Sequence, residues 1–156
     1  MENYSFVQVD LNNEKHCQQL IKLLDIYMQD EMGNGAPMKK DLAPKILGGL
    51  RKHESFLGFF VLVDRHFAAL ANCNKNFSTF RAKPLINIHD FVVDPDYRGK
   101  GVGQFLLDSI SEFAKQNGYC KINLEVREDN HKAQQLYEKA GYEDCKPRMH
   151  FWEKIL

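Results

Sequence analysis

Most of what would announce a function is missing from this chain of 156 residues. Neither sign of charge is in excess: 21 Lys and Arg balance 21 Asp and Glu, so the whole-chain charge selects neither nucleic acid nor a membrane surface. No basic stripe is interleaved with aromatics, so no nucleic-acid partner is expected. Four cysteines occur, Cys17, Cys73, Cys120 and Cys145, and none forms a C-x-x-C pair. They read as scattered reduced thiols rather than a zinc site or a disulfide framework, and no metal is expected. The start, Met1-Glu2-Asn3-Tyr4, lacks a basic n-region and an apolar h-region. No apolar run approaches the ~18 residues that span a bilayer. A cytoplasmic protein with no membrane partner is the simplest expectation. Repeats, low-complexity tracts and linkers are absent too, so residues 1–156 are expected to form one domain, large enough to bury an ordinary core.

What is present alternates between two hydrophobic periods. Tyr4 to Val9 reads as a short strand, and Glu14 to Glu31 as a helix whose apolar face carries Cys17, Leu20, Ile21, Leu23, Leu24, Tyr27 and Met28. Gly33-Asn34-Gly35-Ala36-Pro37 breaks that helix, and a second is expected from Leu42 to His53 with Pro44 in its first turn. Phe56 to Val63 and Phe67 to Asn74 flank Asp64-Arg65-His66 as a hairpin, and Phe77 to Pro84 reads as a loop. A strand follows over Leu85 to Val93, a helix over Gly101 to Gln116, a strand over Cys120 to Val126, a helix over Asn130 to Ala140 closed by Gly141, and a last strand over Met149 to Ile155. The order is β-α-α-β-β-β-α-β-α-β. The second half contains a β-α-β unit, parallel with a right-handed crossover, and the first half is antiparallel. A mixed α/β sheet with helices on both faces is therefore expected.

One junction carries most of the chemistry. Arg98-Gly99-Lys100-Gly101-Val102-Gly103 lies where the strand ending Phe91-Val92-Val93 hands over to a helix. Glycine lets backbone N–H groups approach an anion closely, and the helix dipole points its positive end there. Arg98 and Lys100 add full charges, so a phosphate-bearing ligand, a pyrophosphate above all, is expected. The P-loop pattern is absent, and G-x-G-x-x-G fails because Gly101-Val102-Gly103 is followed by Gln104-Phe105-Leu106. What remains is R-x-x-G-x-G after a strand.

That pattern resembles the acetyl-CoA signature of the GNAT superfamily of N-acetyltransferases. The stretch from Asn130 through Ala133, Leu136 and Tyr137 to Gly141-Tyr142 is similar to the superfamily's second motif, N-x-x-A-x-x-L-Y-x-x-x-G-[FY]. The likeness covers about Tyr4 to Ile155, with its specific motifs between Phe77 and Tyr142. It implies a GNAT-like fold in which the strands Leu85–Val93 and Cys120–Val126 splay apart around the pantetheine. Backbone groups of Phe91, Val92 and Val93 would pair with it, Arg98, Gly99, Lys100, Gly101, Val102 and Gly103 would hold the pyrophosphate, and Asn130 and Ala133 would serve the pantetheine arm. Tyr137 would be the general acid toward the departing thiolate. Acetyl-CoA is then a cosubstrate, and the amine attacks directly.

An attacking amine must lose a proton, so the site needs a base. His89, Asp90 and Glu125 are the candidates. His89 and Asp90 are consecutive on a strand and face opposite sides. Asp30 and Glu31, at the end of the first helix, can attract a cationic acceptor, whereas Arg81 and Lys83 point toward a partly anionic one. A narrower likeness, in Phe77-Ser78-Thr79-Phe80, Lys83-Pro84 and Ile88-His89-Asp90-Phe91, is to the diamine and polyamine acetyltransferases, and it adds Phe80 and His89 to the acceptor side. That branch usually carries E-D-[FL]; here Asp90 matches and His89 takes the place of the glutamate. The expected function is N-acetylation of a small-molecule primary amine, diamine-like or amino-acid-like. The alternatives are protein or peptide N-acetylation and a non-catalytic acyl-CoA sensor. A homodimer is compatible with any of them.

Overall fold

A computed structural model describes residues 3–156. Its centre is a five-stranded sheet in sequence order: β1 (Tyr4–Gln8), β2 (Phe56–Val63), β3 (His66–Ser78), β4 (Lys83–Val93) and β5 (Ile122–Leu124). The first three pairings are antiparallel, and β4 with β5 is parallel. The parallel step is made by the crossover helix α3 (Val102–Gln116), as the β-α-β pattern requires. Helices α1 (Glu14–Gln29) and α2 (Leu42–Lys52) precede β2, and α4 (His131–Lys139) follows β5.

The sheet is covered on both faces. Leu57, Phe59, Val61, Ala69, Ala71 and Cys73 point to one face and pack with Val102, Leu106, Leu107 and Ile110 of α3. Phe60, Leu70 and Val92 point to the other and pack with Leu20, Leu23 and Leu24 of α1. Burial on both sides explains why β2 reads Phe56-Leu57-Gly58-Phe59-Phe60-Val61-Leu62-Val63, a continuous apolar run rather than an alternation. Asn13 starts α1, its side chain accepting from His16 N at 3.2 Å.

Two expectations fail. Phe77 to Pro84 is not a loop: the β3–β4 ladder continues to Ser78↔Lys83, and only residues 79–82 turn. The polar sequence Asn74-Lys75-Asn76 hides this, because an antiparallel ladder is held by backbone groups and tolerates exposed polar side chains. Met149 to Ile155 is not a strand: residues 143–156 carry no regular structure and are exposed. β5 is an edge of only three residues, and among the described residues no further strand pairs with it. Met149, Phe151, Trp152, Ile155 and Leu156 stay in solvent.

Candidate active site

A bulge and a short strand open the site. In the β3–β4 ladder Asn72 pairs with Asp90 and Cys73 with Ile88, which leaves His89 as the extra residue. On its other side, β4 pairs with β5 only from Ile86↔Ile122 to Ile88↔Leu124. From His89 to Val93, then, β4 runs on without β5 beside it. This is the divergence expected between the two strands, with β5 shorter than the Cys120 to Val126 expected.

The glycine loop closes one end of the opening. Gly99 and Gly101 adopt φ of 75° and 83°, and Gly101 is the residue from which α3 starts. The first intrahelical bond of α3 runs from Phe105 N to Gly101 O at 2.9 Å, so the amides of Val102, Gly103 and Gln104 face outward at the helix's positive end. Gly103 serves a different purpose: a Cβ there would lie 3.1 Å from Leu136 Cδ2 and 3.5 Å from Val93 Cγ2, so its lack of side chain lets α4 and β4 approach α3. The Lys100 ammonium lies 5.3 Å from the centroid of the Tyr97 ring, and the Lys100 carbonyl accepts from the Tyr4 hydroxyl. Arg98 turns inward: its Nε donates to Val93 O at 3.0 Å and its Nη2 to Asp30 Oδ2 at 3.2 Å. Asp30 is therefore occupied by a cation of this chain.

On the α3 side of the sheet, Tyr137 and Phe91 meet edge to face with ring centroids 6.0 Å apart, and Tyr142 lies 6.0 Å away. Burial pushes the Tyr137 phenol up to about 12, with the neighbouring Tyr27 a smaller cause. Asn130 starts α4, its Oδ1 accepting from Ala133 N at 3.2 Å. Ala133 and Leu136 are half-buried, and Leu136 packs against the core.

On the α1 side stands Asp90, half-buried, its Oδ2 accepting from Asn72 Nδ2 at 3.1 Å. Tyr27 faces it. Burial, then the charges of Asp90 and Asp30, raise the Tyr27 phenol above its ordinary value, while Arg127 opposes them. Arg127 holds Asp129 with two bonds of 2.9 and 2.8 Å and reaches across to Glu31 O at 3.4 Å. His89 and Glu125, the other base candidates, are exposed. Phe80 stands fully exposed at the tip of the β3–β4 hairpin. Lys83 to Asp90 alone spans seven residues of strand, roughly 23 Å at about 3.3 Å each. Phe80 is thus remote from the opening on its own chain. Among the described residues no group of His, Cys, Asp and Glu is arranged to hold a metal ion, and no helix is long and apolar enough to cross a membrane.

Tyr27, Asn72 and Arg127 escaped the sequence reading. Tyr27 sits on an apolar helical stripe and looks like core. Arg127 follows the strand as an ordinary charge. Asn72 left one signal, an amide inside the otherwise apolar run Ala68-Ala69-Leu70-Ala71-Asn72-Cys73.

The model of the acetyltransferase (GNAT) family matches residues 20–142. This chain belongs to that family. It is 34% identical over 89 residues to an uncharacterized N-acetyltransferase of Methanocaldococcus jannaschii, covering 56% of this chain and 39% of that one. It is 31% identical over 102 residues to the uncharacterized N-acetyltransferase YhfO of Bacillus subtilis, covering 65% of this chain and 68% of that one. The chain thus spans well under half the length of the first relative. A solved probable acetyltransferase shares the fold over 97% of this chain and 98% of its own, with a TM-score of 0.83 at 19% identity. In this GNAT protein the matched region takes in both motif stretches, Arg98–Gly103 and Asn130–Tyr142.

Proposed function

We propose that this GNAT protein transfers an acetyl group from acetyl-CoA to the primary amine of a small cationic molecule, without a covalent enzyme intermediate. The observation that carries the reading is the edge of β4 from His89 to Val93, unpaired by β5 and bounded by the amides of α3 and by Tyr137. Acetyl-CoA supplies an activated thioester. Backbone groups of Phe91 and Val92 fit an added extended chain, and the Val102, Gly103 and Gln104 amides with Lys100 suit a pyrophosphate. Arg98, tied to Val93 and Asp30, braces the loop against the acceptor side.

Asp90 takes the proton that the amine must lose, and Tyr137 returns one to the departing sulfur. A phenol held at about 12 keeps its O–H throughout the neutral range. Asp90 is favoured over His89 and Glu125 because it alone is half-buried, anchored and beside Tyr27. Charge favours a cationic acceptor: Arg98 is matched by Asp30 and Arg127 by Asp129, which leaves Asp90 and Glu31 in excess. A diamine or polyamine fits that balance better than an amino acid.

The test is release of free thiol from acetyl-CoA with diamines, polyamines, amino acids, aminoglycosides and a lysine peptide. The expected result is turnover with the highest kcat/KM for a diamine or polyamine. Preference for the peptide would make this a protein acetyltransferase. Tight acetyl-CoA binding with no thiol release for any amine would make it a sensor.

A further inference from the structure

Asn72 has no folding reason to be asparagine. It lies within the most deeply buried run of β3, is 6% exposed, and shares a sheet face with Leu70 and Val92. Burying an amide there is unfavourable unless its groups are hydrogen-bonded. Only half of it is: Nδ2 donates to Asp90 Oδ2, while Oδ1 is enclosed and has no hydrogen-bond partner among the described residues. A leucine would extend the apolar cluster on that face and leave no orphan acceptor. Locally unfavourable choices of this kind concentrate at functional sites. The register shows what the asparagine faces. The bulge at His89 keeps Asn72 directly opposite Asp90, so the two side chains meet on one face as a cross-strand pair.

We propose that Asn72 is a positioning residue for acetyl transfer. It grips one oxygen of the Asp90 carboxylate and leaves the other, Oδ1, to take the proton of the incoming amine. The inference rests on the reading of Asp90 as proton acceptor. The titratable groups that feel that carboxylate are Tyr27 on α1 and Cys73 on β3, and Tyr27 in turn feels Asp30, just past the end of α1 and matched by Arg98, Arg127 beyond β5, and Tyr137 on α4. None of them hydrogen-bonds Asp90, so Asn72 is its one polar anchor among the described residues.

The experiment compares Asn72→Leu, Asp90→Asn and the double variant in kcat, KM for both substrates, the pH profile and Tm. Asn72→Leu is expected to keep or raise Tm and leave the KM for acetyl-CoA unchanged. It should lower kcat about tenfold, the worth of one hydrogen bond to a charged group, and move the acid-side limb of the rate to higher pH. The double variant should be no slower than Asp90→Asn, because Asn72 acts only through that carboxylate. A clear fall in Tm with kinetics otherwise intact would make Asn72 merely structural and overturn the inference. So would a limb abolished by Asp90→Asn but unmoved, at full rate, by Asn72→Leu. If Asp90→Asn leaves both rate and limb unchanged, the proton-acceptor reading itself falls, and the positioning role with it. Should Asn72→Leu not fold, Asn72→Ser, which fits the site but is too short to reach Asp90, makes the same comparison.

Discussion

Tyr137 lies between Phe91 and Tyr142, both ring centroids 6.0 Å away, and this packing fixes the ring while its hydroxyl remains the polar end. Tyr137→Phe keeps that packing and removes the proton. We expect kcat to fall on the order of 10²–10⁴-fold, with the Kd for acetyl-CoA and Tm nearly unchanged. Stopped-flow turnover and calorimetry on the same preparation check it, and wild-type kcat in the variant would end the assignment. Tyr137 became a candidate in the sequence because it stands in a fixed pattern of neighbours along one helix. Asp90 was a candidate as a carboxylate inside an apolar strand, but its pairing with Asn72 was not readable there. That depends on a one-residue bulge set by β3, since inserting a single residue changes which side chains share a face.

At the start of α3 the proposed pyrophosphate site and the fold depend on the same glycine. Gly101 holds φ at 83°, and a Cβ there would meet nothing within 4 Å, so a substitution acts through backbone conformation rather than a clash. Gly101→Ala should cost about 1–2 kcal/mol of stability, the usual penalty of a left-handed residue with a Cβ. Gly101→Glu should cost a similar amount, yet weaken acetyl-CoA binding at least tenfold more than alanine does, because its carboxylate repels the pyrophosphate. Denaturant melts and calorimetry on both variants separate the two effects. Equal affinities for Ala and Glu would place the phosphates elsewhere. Sequence reading anticipated this junction because glycine spacing and the strand-to-helix change of period are local. It misplaced the end of β3, because Asn76 to Ser78 are extended through their ladder with β4.

Across the whole molecule the buried acids share one direction of shift. Burial pushes the Cys73 thiol up to about 12, and it also raises the Tyr27, Tyr137 and Tyr142 phenols. The folded state favours the neutral forms, whereas the unfolded chain loses these protons at ordinary values of 9.0 for the thiol and 10.0 for the phenols. Their contribution to stability is complete below about pH 9 and is lost as pH rises toward 12, at about 1.4 kcal/mol per pH unit for each group ionised only when unfolded. Urea midpoints followed by circular dichroism should be level between pH 7 and pH 9 and fall by pH 10.5, less steeply in Cys73→Ala. A midpoint that holds through pH 10.5 would contradict the burial of these groups.

The sequence by itself determined the order of elements up to α4, the two-sided burial of the central strands, the glycine-led start of α3 and the cap of α4. All of these follow from residues within a few positions of one another, where propensity, period and capping act. The tertiary structure alone decided where β5 leaves β4, that Arg98 is taken by Asp30 sixty-eight residues away, that Phe80 stands at a hairpin tip far from the site, and that the segment 149–155 has no strand beside it. Each of these is a choice of partner between distant parts of the chain. A strand, an ion pair or a positioned carboxylate exists only once its partner is in place, and no local pattern names that partner.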